Sequence, residues 1–89
     1  MQILPVILRK NGFDYSQVLR DEKKAIYCQH VTPNLEYFEV FKIQTHLERV
    51  FKGGTIPAGE SFPSNEGFGV TAWTYRTLEK AMVKYNTLP

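Results

Sequence analysis

Cys28, His30 and His46 carry the softest donor atoms in the chain, the kind that ligate metals or activate nucleophiles. Cys28 and His30 lie two apart in Ala25-Ile26-Tyr27-Cys28-Gln29-His30-Val31, a run rich in strand formers. On a strand both side chains point to one face, with Cβ atoms about 6–7 Å apart. That is longer than the hydrogen-bond reach a Cys–His nucleophile needs. No neighbouring Asp or Asn is placed in sequence to orient the imidazole. The pair therefore reads as a structural thiol beside an exposed imidazole. A zinc site using Cys28, His30 and His46 would have three of its four ligands, only two of them close in sequence. His46 and Glu48 read as surface ligands at most. The expectation is no metal and no cofactor.

The carboxylates offer no acid–base pair. Glu36 and Glu39 have opposite strand parity, Asp21 and Glu22 sit in a turn, and Glu60 and Glu66 fall in a loop. All read as solvated charges. Gly53-Gly54 and Gly67-Phe68-Gly69 lack the Lys and the following helix of a phosphate-binding loop. No constellation with a mechanism emerges, so the chain reads as a non-enzyme.

Binding chemistry is better represented. Arg76, Lys80 and Lys84 recur every four residues and line one helix face. Tyr15, Tyr27, Tyr37 and Trp73 offer stacking surfaces, the second ingredient of single-strand recognition. Against this, Asp21, Glu22 and Glu79 interleave with the cations, and the net charge is only +2. Twelve aromatics in 89 residues exceed what a small core obviously needs, which points to exposed rings and a protein interface.

The elements that would position these groups can be read in order. Asn11-Gly12 supplies the positive φ angles of a type I′ turn, joining strands near 3–10 and 13–20. Pro5 cannot donate to a ladder, so the first strand belongs at a sheet edge. A homodimer could pair through that edge at 3–8. Asp21-Glu22-Lys23-Lys24 marks a second turn, and Thr32-Pro33-Asn34 a third. In Glu36–Ile43, Tyr37, Phe41 and Ile43 share one face, interrupted by Glu39, while Phe38 and Val40 share the other. Such a two-faced apolar strand is central, or packs a helix on one side and a loop on the other. Val70–Tyr75 alternates like a last strand. Thr77 caps a helix whose apolar stripe is Leu78, Ala81, Met82 and Tyr85, with Lys84 near its C-terminal end.

Five of the six glycines fall between residues 53 and 69. This long Gly/Pro-rich loop, about 52–69, also contains Ile56, Phe62 and Phe68. A disordered linker would be poorer in such residues. The loop is expected to wrap the sheet, with those three side chains as anchors. YFEVFKI at 37–43, the loop, and PSNEGFGVTAWTYRTLEKAMVKYN at 63–86 together resemble small proteins, with no known activity, from mobile elements and prophages of gut anaerobes such as Bacteroides. The resemblance spans Tyr37 to Leu88. It implies a bacterial, cytoplasmic, accessory setting.

Residues 1–89 thus read as one small α+β domain. Its two layers are a mostly antiparallel sheet of four to five strands and one C-terminal helix. The apolar runs are too short to span a membrane, and the lone cysteine suits a reducing compartment. The expected function is non-enzymatic protein binding through Tyr37, Phe62, Phe68 and Trp73. The alternative is single-stranded nucleic-acid binding through Arg76, Lys80 and Lys84.

Overall fold

The computed structural model describes residues 2–63 and 71–89. Asn11 and Gly12 take φ values of 55° and 84°, the positive pair a type I′ turn demands. They join β1 (Ile7–Lys10) to β2 (Phe13–Arg20), with Lys10 opposite Phe13. At the next turn Asp21 Oδ1 accepts hydrogen bonds from the backbone N–H groups of Lys23 (2.7 Å) and Lys24 (2.9 Å). β3 (Lys24–Thr32) and β4 (Leu35–Lys42) follow, joined at Pro33-Asn34. Four short strands come next: β5 (Gln44–His46), β6 (Arg49–Phe51), β7 (Gly54–Ile56) and β8 (Gly59–Ser61). They pair as β5–β8 and β6–β7, outside the main sheet. β9 (Ala72–Tyr75) then pairs with β4, completing an antiparallel sheet ordered β1-β2-β3-β4-β9. Helix α1 (Leu78–Thr87) ends the chain. This is the expected mostly antiparallel α+β architecture.

Strand alternation gives the sheet two buried faces. Ile26 and Val40 face the helix and meet Ala81, Tyr85 and Leu88. Ala25, Tyr27 and Phe41 face the other way, with Tyr15 and Ala72. The helix is capped at both ends. Thr77 Oγ1 accepts from Lys80 N–H at 3.3 Å. At the other end Lys24 Nζ donates to the carbonyls of Tyr85 (2.8 Å) and Leu88 (2.9 Å). A cation there complements the helix dipole. Lys84 also lies in the last turn, as expected, with its ammonium 4.0 Å over the Trp73 ring. Leu78 is displaced from its expected role. It sits in the first turn, 39% exposed, and Leu88 beyond the last turn fills the core in its place.

Two further expectations are corrected. The first strand starts at Ile7, not near residue 3, because residues 2–5 leave the sheet edge and cross the face opposite the helix, while Val6 O still accepts from Gln17 N–H at 2.7 Å. The loop expected at 52–69 contains β7 and β8; its remainder from residue 64 lies outside the described residues. Of the three proposed anchors, Phe62 packs edge-on against Tyr15, Tyr27 and Phe41, with centroids 4.9–5.3 Å apart. Ile56 is exposed on β7, and Phe68 lies outside the described residues.

A dense set of bonds fixes the N-terminal arm. Gln2 N–H donates to Ala58 O (3.0 Å), and Glu60 N–H donates to Gln2 O (2.8 Å). Tyr27 Oη–H donates to Pro5 O at 2.6 Å. Glu60 Oε1 accepts from Leu4 N–H (3.0 Å) and from Arg20 Nη1 (2.6 Å), while Oε2 accepts from Arg20 Nη2 (2.8 Å). Gly59 permits this approach: a Cβ there would stand 2.8 Å from Gln2 O. The Arg20 guanidinium holds the Glu60 carboxyl down at about 2, so Glu60 is no solvated loop charge.

Glu60→Gln leaves the largely buried Arg20 guanidinium without its partner charge. The unfolding free energy should fall by about 2–4 kcal/mol, measured by urea denaturation at pH 7. A loss below about 0.5 kcal/mol would make the pair dispensable.

Candidate functional site

Glu39 is the first unusual group. It lies on β4 between Tyr37 and Phe41, on the sheet face away from the helix, and is only 4% exposed. Its Oε2 has no hydrogen-bond partner among the described residues. Burial raises its carboxyl to about 7, against a smaller lowering by the Lys10 charge. A buried carboxylate without a partner is costly, and such groups concentrate at functional sites.

Glu39 opens onto a cavity of about 190 Å³ walled by Phe13, Tyr15 and Phe62, with Gln29, Lys10 and Pro63 completing it. Gln29 Nε2 donates to Tyr15 Oη at 3.0 Å, which fixes that wall. Lys10 Nζ donates to Pro63 O and lies 5.0 Å over the Phe62 ring, holding a positive rim. The result is a small cavity in which aromatic walls and polar groups share the lining about equally.

The opposite face carries a second cluster. His30 on β3 pairs directly with Glu36 on β4, and Cys28 lies two residues along β3. Cys28 Sγ is 3.2 Å from Glu36 Oε2 and 4.0 Å from His30 Nδ1. His30 Nδ1 is 3.7 Å from the same Glu36 oxygen. His30 Nε2 meets Ser16 Oγ at 2.8 Å. Burial, reinforced by Glu36, pushes the Cys28 thiol up to about 12. A nucleophilic cysteine needs the reverse, a neighbour that favours the thiolate. The cluster as it stands is poorly suited to nucleophilic attack.

The residues expected to bind partners do not converge. Tyr37 and Phe62 belong to the face away from the helix, whereas Trp73 packs in the helix-side core. Phe68 lies outside the described residues. Tyr15 and Tyr27 are buried, which removes them as stacking platforms. Arg76 lies 5.1 Å over the Tyr37 ring and Lys84 4.0 Å over Trp73. Arg76 precedes the helix, while Lys80, Lys84, Tyr75, Val83 and Thr87 line an open groove of about 460 Å³. His46 is remote from Cys28: its ring bonds to Ser61 Oγ (2.7 Å) and Pro57 O (3.0 Å).

Glu39 and Glu36 read from sequence as solvated charges; Glu39 is instead buried, and Glu36 is half exposed against Cys28 and His30. For Glu39 the signal was its interruption of an otherwise apolar face. For Glu36 it was the short turn at Pro33-Asn34, which sets the register that brings it opposite His30. No protein family matches the chain, and no curated protein or solved structure matches it either.

The two shifted carboxyls set the pH dependence of stability. Glu39 binds its proton more tightly when folded, so its contribution is full below its ordinary 4.5 and lost as pH rises to about 7. Glu60 behaves oppositely: its contribution is full above 4.5 and lost as pH falls towards 2. The unfolding free energy should therefore peak near pH 4.5–5. Glu39→Gln should flatten the upper limb and stabilise the protein at pH 8 by about 1–3 kcal/mol. Denaturant titrations across pH 3–8 test both limbs.

Proposed function

We propose that the chain is a non-enzymatic binding protein that takes a basic side chain of a protein partner into the Glu39 cavity. The observation that carries this reading is the buried Glu39 oxygen, unpartnered among the described residues, at the floor of an aromatic-walled pocket. An ammonium or guanidinium group would pair with Glu39 and stack against Phe13 or Phe62. Lys10 at the rim suits a carbonyl or carboxylate beside that cation.

A protein partner is favoured over a free small molecule by the exposed apolar side chains of the β6–β7 hairpin, Val50, Phe51 and Ile56. The bacterial mobile-element setting comes from the resemblance alone. Among the described residues no helix is long and apolar enough to cross a membrane.

Butylammonium is a direct probe of the pocket. Its titration into isotope-labelled protein should move the amide signals of Phe13, Tyr15, Gln29 and Glu39. Apparent affinity should rise about tenfold from pH 6 to pH 8 as the competent ionised form fills. Glu39→Gln should abolish both effects. Shifts that persist unchanged in Glu39→Gln would remove the reading.

The second reading, single-stranded nucleic acid, draws on Lys80 and Lys84, which line the groove beside β9, and on Arg76, which lies outside that groove over the Tyr37 ring. It expects retention on labelled single strands that weakens steeply with salt and is lost in a Lys80→Glu/Lys84→Glu double variant. Equal retention of that variant would exclude it.

A further inference from the structure

We propose that Cys28, His30 and Glu36 form a mononuclear site for a divalent cation of the zinc type, open to an external fourth ligand. Thiolate, imidazole and carboxylate are the three donor types zinc accepts, with bonds of about 2.3, 2.0–2.1 and 2.0–2.2 Å. A tetrahedral centre with those bonds holds its donor atoms roughly 3.3–3.6 Å apart. Here the three donor separations are 3.2, 3.7 and 4.0 Å. Only sub-ångström movements close them around one ion.

The scaffold supports that closure. All three residues sit on two adjacent paired strands, with His30 and Glu36 in direct register. Rigid strands hold ligands more accurately than loops do. Ser16 Oγ lies 2.8 Å from His30 Nε2; in the tautomer with its proton on Nε2, Ser16 accepts that proton and Nδ1 is left free to ligate. Such an outer hydrogen bond commonly fixes a ligating imidazole.

Access and charge also fit. Cys28 is buried, whereas the side chains of His30 and Glu36 are about half exposed, so an ion can enter from solvent. Without the ion, Cys28 Sγ–H donates to Glu36 Oε2. On binding, the sulfur–hydrogen bond breaks, the proton leaves to solvent, and sulfur and the carboxylate oxygen both bond the cation. Thiolate and carboxylate then neutralise its two charges. Three protein ligands leave the fourth position to water or to a group on a partner, the arrangement of exchangeable rather than closed zinc sites. The site lies on the opposite sheet face from the Glu39 cavity and does not depend on it.

Cobalt(II), added to the full chain under mild reducing conditions, reports the site by absorption. The expected result is a 1:1 complex with tetrahedral d–d bands and a thiolate-to-cobalt charge-transfer band, displaced stoichiometrically by zinc. Cys28→Ser should remove the charge-transfer band. His30→Gln and Glu36→Gln, half-exposed positions that should not disturb folding, should each weaken binding at least tenfold. Ser16→Ala should weaken it about tenfold, and His46→Ala should change nothing. Failure to form a thiolate–cobalt complex overturns the proposal. So does a complex unaffected by Glu36→Gln and His30→Gln.

Discussion

The ion pair between Arg20 and Glu60 is the constraint on which the face away from the helix depends. One carboxylate accepts two guanidinium bonds and the Leu4 amide, so strand β2, strand β8 and the N-terminal arm meet at a single charged node. Such a node is stabilising only when every lone pair it removes from water finds a donor. With the node in place, Leu4 and Phe62 seal the apolar side chains of Tyr27 and Phe41. Phe62 in turn forms one wall of the Glu39 cavity. The Glu39 cavity is a product of the clamp as well as of the sheet.

The central strands serve both faces at once. Along β4, Glu36, Phe38 and Val40 alternate with Tyr37, Glu39 and Phe41. The same eight residues therefore supply a metal-type donor, a helix-packing surface and the cavity floor. The two polar sites do not interfere, because the sheet separates them. Helix α1 covers only part of its face, leaving the region near the Pro33-Asn34 turn open around His30 and Glu36.

What could be read from sequence was mostly local. Asn11-Gly12 specifies its turn through backbone preference, and Thr77 specifies the helix start through its own hydroxyl. Neither needs knowledge of distant residues. The strand pattern of 36–43 likewise carried its two-faced burial. The rest depended on long-range partners. Nothing near Glu60 in sequence announces Arg20, and nothing near Gly59 announces Gln2. Leu78 has the right spacing for the helix stripe, but the helix docks from Ala81 onward and leaves that first position at the edge of the contact. Glu36 becomes a neighbour of His30 only once the hairpin register is known. Glu39 broke the pattern visibly, and a charge on an apolar face means either solvent or function.

The bridge between Gln2 and Gly59 joins segments more than fifty residues apart. Chain closure over that separation is slow compared with the successive hairpins of β1 to β4, each made by neighbours. The meander is thus an early-forming unit, and the arm over its surface is a late addition. By the same reasoning the arm is a natural place for sub-global opening. Amide exchange at Leu4 and Glu60 would then run ahead of exchange in β3. Opening of the arm costs less than melting the sheet beneath it.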